Sequence, residues 1–115
     1  MSNPTGLPYR PSVAAGDWVV VSGQVGLRDG VLVDGFGEQV DQVLANLRDR
    51  LAEHGLDLSD VIKTTCMLVD LEQFAAFNER YAAAFDEPRP ARSAFGVAAL
   101  PLGAAVEVKA WARRR

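Results

Sequence analysis

The chain has 115 residues, of which 49% are hydrophobic and 23% are charged, and its formal net charge is -3. This length and balance are typical of one globular domain, which we expect to span residues 1–115, and they exclude a disordered or fibrous protein. The negative charge argues against a nucleic-acid partner, and no apolar run approaches the roughly 20 residues of a membrane span, so we expect neither partner.

The first half of the chain begins with a proline-containing extended arm over Met1–Ser12. Trp18–Ser22 is a continuous apolar run that favours a strand covered on both faces. A short strand at Val31–Val33 follows the pair Asp29-Gly30, which is typical of a tight hairpin turn. A helix is predicted over Gly37–His54, with Gly55 as its left-handed C-terminal cap. Its apolar stripe consists of Val40, Val43, Leu44, Leu47 and Leu51.

The second half contains a predicted strand over Val61–Val69, which is rich in β-branched residues. A second helix opens at Asp70 and ends before Pro88-Arg89-Pro90, because proline disfavours helix at its own position and just before it. Two final strands are predicted over Ser93–Ala99 and Ala104–Ala112. The apolar face of the second helix consists of Phe74, Phe77, Tyr81 and Phe85.

This order of elements predicts an α/β (α+β) protein with one mixed sheet and two helices on one face. The strands around Val19 and Val61 are apolar on both faces, yet two helices cover only one face of such a sheet. The other face therefore needs a partner, and a second copy of the chain is the simplest one.

The residue types that most often carry catalysis are scarce. His54, the only histidine, lies at the predicted end of the first helix, where a histidine commonly complements the helix dipole. Cys66, the only cysteine, lies in the middle of a strand, where a buried and inert thiol is expected. One histidine and one cysteine leave no metal site, and a chain without an intrachain disulfide fits the reducing cytoplasm, where we expect the protein to act.

Arg92 and Glu107 are the main candidates for chemistry. Arg92 starts a strand whose same face carries Ala94, Gly96 and Ala98, so there is space in front of a guanidinium that matches a carboxylate. A structural ion pair explains Arg92 equally well. Glu107 shares its face of the last strand with Lys109 and Trp111, and either a solvated polar face or a functional acid explains it.

Three further residues have both a structural and a functional interpretation. Asn78 lies between apolar positions of the second helix, so its half-buried amide needs a hydrogen-bond partner in the backbone or in a ligand. Tyr9 either packs the arm against a neighbour or lines a site. Gly23 ends a buried strand, where it allows close approach of a ligand or marks a bulge.

Several short motifs occur together in a specific order and spacing. They are Val21-Ser22-Gly23-Gln24, Asn46-Leu47, Val61-Ile62-Lys63-Thr64-Thr65, Asp70-Leu71, Phe74-Ala75, Phe77-Asn78 with Tyr81, Pro90-Ala91-Arg92-Ser93, and Leu100-Pro101 with Glu107 six residues after Pro101. With this set the chain resembles the RidA family, also called the YjgF family, from Tyr9 to Ala112. The resemblance implies a chorismate-mutase-like fold assembled as a homotrimer, with the sheets packed into a central barrel and three sites between adjacent subunits. It also implies hydrolysis of 2-imino acids to 2-keto acids and ammonia, without a cofactor or metal.

The resemblance also implies roles for individual residues. Arg92 corresponds to the arginine that binds the substrate carboxylate, and Glu107 to the acid that positions and activates the attacking water. Tyr9 and Asn78 correspond to pocket-lining residues, and Gly23 offers a backbone contact.

The chain departs from the family pattern at two places near the expected pocket. Ala94 stands where many members have a cysteine, which is expected to alter only the shape of the pocket because the reaction needs no thiol. The stretch from Gln24 to Gln39 is about two residues shorter than is common.

Two other functions compete with imine hydrolysis. The first is a non-catalytic protein that senses a small carboxylate metabolite through Arg92; Glu107 argues for the enzyme, because an anion binder gains nothing from a nearby negative charge. The second is ribonuclease activity, attributed to some members of the endoribonuclease L-PSP family. The lack of a suitable histidine and the net charge of -3 argue against it.

Overall fold

The computed structural model describes residues 6–115, and the first five residues of the predicted arm lie outside them. A five-stranded mixed sheet has the strand order β1-β2-β7-β5-β6, in which β5 and β6 run parallel and the other neighbours antiparallel. These strands are β1 (Ser12–Ala15), β2 (Trp18–Gln24), β5 (Val61–Leu68), β6 (Ala91–Gly96) and β7 (Val106–Arg113). The remaining elements are the hairpin of β3 (Leu27–Arg28) and β4 (Val31–Leu32), and the helices α1 (Phe36–Ala52) and α2 (Phe74–Ala84).

Both helices pack on one face of the sheet, as predicted. Along β7, Val106, Val108, Ala110 and Ala112 are buried on the helix side, and the residues between them point the other way. The predicted stripe of α1 is fully part of the core, together with Phe77 and Tyr81 of α2 and Phe85, which directly follows that helix. This arrangement confirms the predicted fold class, a mixed sheet with two helices on one face. The prediction was possible because apolar side chains recur at the period of each element.

The other face of the sheet, called here the open face, carries large apolar side chains. Trp18 is 41% exposed, Phe95 46% and Trp111 47%. The two indole rings meet edge to face, with their centroids 6.2 Å apart. Aromatic side chains grouped on one exposed face are typical of a surface that binds a partner.

The strands near the N-terminus differ from the prediction. β1 is a strand that the sequence does not predict, since the predicted arm ends at Ser12 and no element is predicted for residues 13–15. The predicted turn at Asp29-Gly30 is confirmed, with φ values of 53° and 79° that suit a tight hairpin. However, β3 and β4 pair only with each other and do not join the main sheet. Asn46 of α1 holds this hairpin instead, donating from Nδ2 to the carbonyls of Val25 (3.0 Å) and Leu27 (2.9 Å).

Several element ends also differ. The first helix ends at Ala52 rather than at His54, and the left-handed Gly55 (φ 74°) follows it as predicted. The ring Nε2 of His54 lies 2.8 Å from the hydroxyl of Ser12, and thus links the end of α1 to β1. β6 begins at Ala91, two residues before the predicted start at Ser93, and β7 begins at Val106 rather than at Ala104. None of the helices in the described residues is both long and apolar enough to cross a membrane.

Candidate functional site

Arg92 lies at the start of β6 and faces α2. Its Nη1 donates a hydrogen bond to Oδ1 of Asn78 at 2.8 Å, so the half-buried amide has a side-chain partner rather than the backbone or ligand partner that was expected. Among residues 6–115, the ion pairs do not include Arg92. A structural ion pair therefore does not account for Arg92 in this part of the chain, and its positive charge faces no fixed counterion there.

Aromatic rings surround the same guanidinium. Its central carbon lies 4.9 Å from the ring centroid of Tyr81, 5.4 Å from that of Phe74 and 5.9 Å from that of Phe77. These residues and Asn78 lie on one face of α2 because they are three or four positions apart. The strand register fixes the position of Arg92 relative to these rings, because Arg92 of β6 pairs with Thr64 of β5.

A side-chain hydrogen bond to the sheet fixes the ring of Tyr81. Its hydroxyl lies 2.6 Å from Oγ1 of the buried Thr64. Burial raises the pKa of the Tyr81 phenol, so that it remains protonated. Burial also raises the pKa of the Cys66 thiol, two residues along the same strand. The expectation that Cys66 is buried is confirmed.

Glu107 lies on β7 and points toward the open face, where it meets the backbone of Gly23 on β2. A Cβ atom built on Gly23 would lie 2.0 Å from Oε2 of Glu107, so the carboxylate occupies the space of a missing side chain. The register between β2 and β7 also shifts between Val21 and Gln24, which agrees with the interpretation of Gly23 as a bulge position, and the group that approaches its backbone in this chain is Glu107. Burial raises the pKa of the Glu107 carboxyl, and the nearby Lys109 ammonium lowers it in smaller part.

The arm brings Tyr9 to the same place. The backbone N–H of Ser22 donates to the carbonyl of Pro11 at 2.9 Å, and its hydroxyl donates to the carbonyl of Arg10 at 2.7 Å. These two bonds tie the arm along β2. A shallow cavity of about 340 Å³ results, and its lining consists of Tyr9, Ser22, Gly23, Pro101 and Glu107. Sequence reasoning gave no role to Ser22 or Pro101, although both stood in motifs that carried the family resemblance.

One chain does not bring Arg92 and Glu107 together. Arg92 faces the helices and Glu107 faces the open side of the sheet, and β5 lies between their two strands. Along β5 their pairing positions are also apart, because Arg92 pairs with Thr64 and Glu107 with Met67. The predicted residues thus form two groups: an arginine half-site of Asn78, Arg92 and Ala94, and a glutamate half-site of Tyr9, Gly23 and Glu107.

Ala94 is half-buried and lies on the same side of β6 as Arg92. It pairs in register with Cys66 and packs against the hydrophobic core. Its short side chain adds no polar group to the arginine half-site, so the position contributes shape.

Larger cavities exist elsewhere on the chain. One of about 640 Å³ lies between the β3–β4 hairpin and α1, and one of about 480 Å³ lies beyond the C-terminal end of α1. Neither contains a residue of the two half-sites, so size alone does not identify the site. Within residues 6–115, no three His, Cys, Asp or Glu side chains are close enough to hold a metal ion.

Comparison with known proteins gives a consistent assignment. The family model described as endoribonuclease L-PSP matches residues 2–114. The chain is 44% identical over 105 residues to Reactive Intermediate Deaminase A, chloroplastic, of Arabidopsis thaliana, covering 89% of this chain but only 56% of the length of that relative. It is 43% identical over 106 residues to the 2-iminobutanoate/2-iminopropanoate deaminase of Mus musculus, covering 90% of this chain and 78% of that one.

A solved structure agrees with the fold. The crystal structure of E. coli TdcF with bound serine superposes with a TM-score of 0.90 at 34% identity, covering 94% of this chain and 89% of that one. The sheet and the two helices thus have close counterparts in a protein of known structure. The chain belongs to the endoribonuclease L-PSP family, and its similarity to the reactive intermediate deaminases confirms the RidA resemblance seen in its motifs.

Proposed function

We propose that this protein hydrolyses 2-imino acids to 2-keto acids and ammonia, at sites that two neighbouring subunits build together. The observation that carries this proposal is the pair of half-sites, each of which supplies one of the two charged groups that the reaction uses. Relatives that are 43% and 44% identical bear the names of such deaminases, which supports the same reaction here.

The chemistry follows from the two charged groups. The guanidinium of Arg92, steadied by Asn78, binds the substrate carboxylate with charge-assisted hydrogen bonds. The Glu107 carboxylate accepts a proton from water as the water oxygen bonds to the imine carbon. That proton passes from Glu107 to the nitrogen of the resulting carbinolamine. The C–N bond then breaks as the carbinolamine hydroxyl gives its proton back to Glu107 and becomes the C=O group, so ammonia and a 2-keto acid leave and the proton passes from Glu107 to solvent.

The remaining residues shape the pocket. Tyr9 lines it, the backbone at Gly23 contacts the substrate, and Ala94 leaves room beside Arg92. A protonated imine is already electrophilic, so we expect no cofactor and no metal, and activity that survives prolonged chelation.

The same proposal includes a homotrimer. Packing the open face of each sheet against a neighbour covers the exposed indoles. In the proposed trimer, the glutamate half-site of one subunit also lies against the arginine half-site of the next, at the boundary between them. Support for this arrangement comes from the exposed aromatic side chains and from the position of the half-sites on opposite faces of one sheet.

A non-catalytic carboxylate-binding protein is the alternative. The guanidinium without a described counterion favours carboxylate binding by itself, and the relative TdcF was crystallised with serine. Glu107 favours the enzyme, because its negative charge would oppose an anionic ligand unless it served the reaction.

A coupled assay tests the proposal. A pyridoxal-dependent dehydratase releases imine from threonine or serine, and keto-acid formation is followed with and without this protein. We expect faster keto-acid formation with the protein, and no acceleration with a variant that carries both Arg92→Ala and Glu107→Gln. Equal rates with and without the parent protein would exclude the deaminase and leave the binding protein.

Mixed assemblies test the shared site. Subunits carrying Arg92→Ala and subunits carrying Glu107→Gln are each expected to be inactive alone. Co-refolded at equal amounts, they should recover about one quarter of the parental activity, because each mixed trimer contains one intact pair of half-sites. Recovery would be absent if both groups acted from the same chain.

We also propose a cytoplasmic location. The thiol of Cys66 is buried, and the chain contains no second cysteine for an intrachain disulfide. Relatives named chloroplastic and mitochondrial exist, so subcellular fractionation with organelle markers is the deciding measurement.

A further inference from the structure

Arg92 is held in place by more than its bond to Asn78. Three rings of one helix face surround its guanidinium at 4.9 to 5.9 Å, distances at which a cation is attracted to the negative face of an aromatic ring. These rings belong to Phe74, Phe77 and Tyr81, which are called here the α2 aromatic face.

An exposed arginine ordinarily samples many rotamers, and ordering it on binding costs conformational entropy. Here the rings limit that freedom while the substrate is absent. The bond from Tyr81 to Thr64 fixes the nearest ring, and the half-buried Phe74 contacts the guanidinium at the start of α2. Asn78 engages Nη1 alone, so Nε and Nη2 keep N–H groups directed away from that bond.

We propose that the α2 aromatic face positions the Arg92 guanidinium for carboxylate recognition, with Phe74 and Tyr81 as positioning residues. The inference rests on the proposed function, in which Arg92 binds the substrate carboxylate. The competing explanation is that these rings only pack α2 onto the sheet. The two explanations differ in what happens to Arg92 when one ring is removed without unfolding the helix.

Phe74 and Phe36 form a matched pair for this test. Each is the first residue of its helix, each is half-buried, and each packs against the same core. Only Phe74 lies against Arg92. Replacing either residue with leucine removes a ring of the same size from an equivalent position, so the stability cost should be similar.

The experiment compares Phe74→Leu, Phe36→Leu and the parent by two measurements. Calorimetric titration with 2-oxobutanoate gives carboxylate affinity without turnover, and the coupled assay gives kcat and KM. We expect Phe74→Leu to weaken 2-oxobutanoate binding and raise KM by about twofold to fivefold with little change in kcat, since a cation–π contact at an exposed site is worth this factor. Phe36→Leu should bind like the parent.

Two further measurements complete the test. The Arg92 Nε–H signal in NMR spectra, assigned by its loss in Arg92→Ala, should carry a ring-current shift in the ligand-free parent and in Phe36→Leu, and a reduced one in Phe74→Leu. Tyr81→Phe keeps the ring against Arg92 and removes only the hydroxyl that holds it to Thr64, so it should weaken binding less than Phe74→Leu does. Equal affinity for Phe74→Leu and Phe36→Leu, or no 2-oxobutanoate binding by the parent, would overturn the inference. Binding that depends on Phe74 without any acceleration of imine hydrolysis would sustain the inference and exclude the deaminase.

Discussion

At the glutamate half-site, the lack of a side chain on Gly23 determines where the Glu107 carboxylate lies. The Glu107 carboxylate occupies the space that a Cβ on Gly23 would fill, and burial there raises its pKa. A carboxylate with raised proton affinity is a stronger base, which suits the transfer of a proton from water. The residue type at Gly23 therefore bears on the chemistry through its neighbour.

Glu107→Gln should slow imine hydrolysis by roughly 10²–10⁴, because it keeps the shape of the side chain and removes the base. Binding of 2-oxobutanoate should stay the same or improve, since a negative charge near an anion is lost. Arg92→Ala should instead weaken that binding strongly, as each charge-assisted hydrogen bond is worth roughly 1.5–3 kcal/mol. The coupled assay beside calorimetry separates the two effects. Full activity in a folded Glu107→Gln protein would contradict the role of this residue as base.

Gly23→Ala should displace the Glu107 carboxylate and lower activity strongly, while costing little stability, because the far end of a flexible side chain can move aside. In the Glu107→Gln background the same substitution should add little further loss, since the displaced group no longer serves as base. The double-mutant cycle of kcat/KM measures this coupling. Additive losses would show that Gly23 acts independently of Glu107.

The pH dependence of the reaction should report the same carboxyl. A base must be deprotonated to act, so kcat/KM should rise with pH through the pKa of Glu107, at a midpoint above the ordinary value of 4.5. Lys109→Gln removes the charge that partly lowers this pKa, and should move the acid limb to higher pH. Carboxyl ¹³C NMR titration gives the pKa directly, and an unmoved or lower midpoint in Lys109→Gln would contradict the assignment.

The direction in which pH changes the stability follows from the difference in proton binding between the native and unfolded states. Because the folded-state pKa of Glu107 is raised, the native state binds more protons in the window between the ordinary and the folded value. The contribution of this carboxyl to stability therefore falls as pH rises through that window. The Tm of Glu107→Gln relative to the parent should therefore rise as pH increases through that window and level off above it.

At the scale of elements, the sequence predicts those helices and turns that a local pattern of residues determines. The stripe of α1 and the aromatic face of α2 follow from periodicity, and Gly55 and Asp29-Gly30 follow from their need for left-handed backbone. β1 escaped prediction because four residues with little pattern become a strand only by pairing with β2. The enclosure of Arg92 by rings also escaped, since it depends on the register of β6 beside β5.

The hydrogen bonds of Asn46 explain why the β3–β4 hairpin could be predicted from the sequence while its position against α1 could not. Its Nδ2 atom donates to two hairpin carbonyls across about twenty residues of chain, and its Oδ1 accepts from Gln42. Asn46→Asp should lower the free energy of unfolding by roughly 1–3 kcal/mol, because a nearly isosteric oxygen replaces the one nitrogen that donates to both carbonyls. Urea unfolding measures the change. Gln42→Ala is the control and should cost less, and an unchanged midpoint for Asn46→Asp would show that the hairpin needs no such tie.

At the scale of the whole molecule, the open face is the feature that bears on whether the protein acts as a single chain or as an assembly. Its aromatic side chains Trp18, Phe95 and Trp111 are 41% to 47% exposed, and the two half-sites lie on opposite sides of the sheet that carries them. Composition could point to the need for a partner, because strands apolar on both faces exceed what two helices cover. It could not show which half-site faces which subunit.

Trp111→Glu should convert the assembly into monomers, because it places a charge in the middle of an apolar contact. Light scattering should give about three times the 12.4 kDa chain mass for the parent and the single-chain mass for the variant. Val31→Glu is the matched control, since Val31 is 67% exposed on the hairpin, away from the open face, and this variant should remain a trimer. A monomeric parent at micromolar concentration would refute the trimer and the shared site with it.

The division of the charged residues between two faces of one sheet also bears on how such a protein evolves. If each site is completed only across a subunit boundary, a mutation that weakens the boundary lowers the fitness contributed by the reaction, even where each chain folds well alone. Natural selection for turnover would then preserve the open face without any selection for stability. Residues such as Trp18 and Trp111 should vary together with the charged residues among descendants, and a lineage that loses the reaction should be free to lose the assembly.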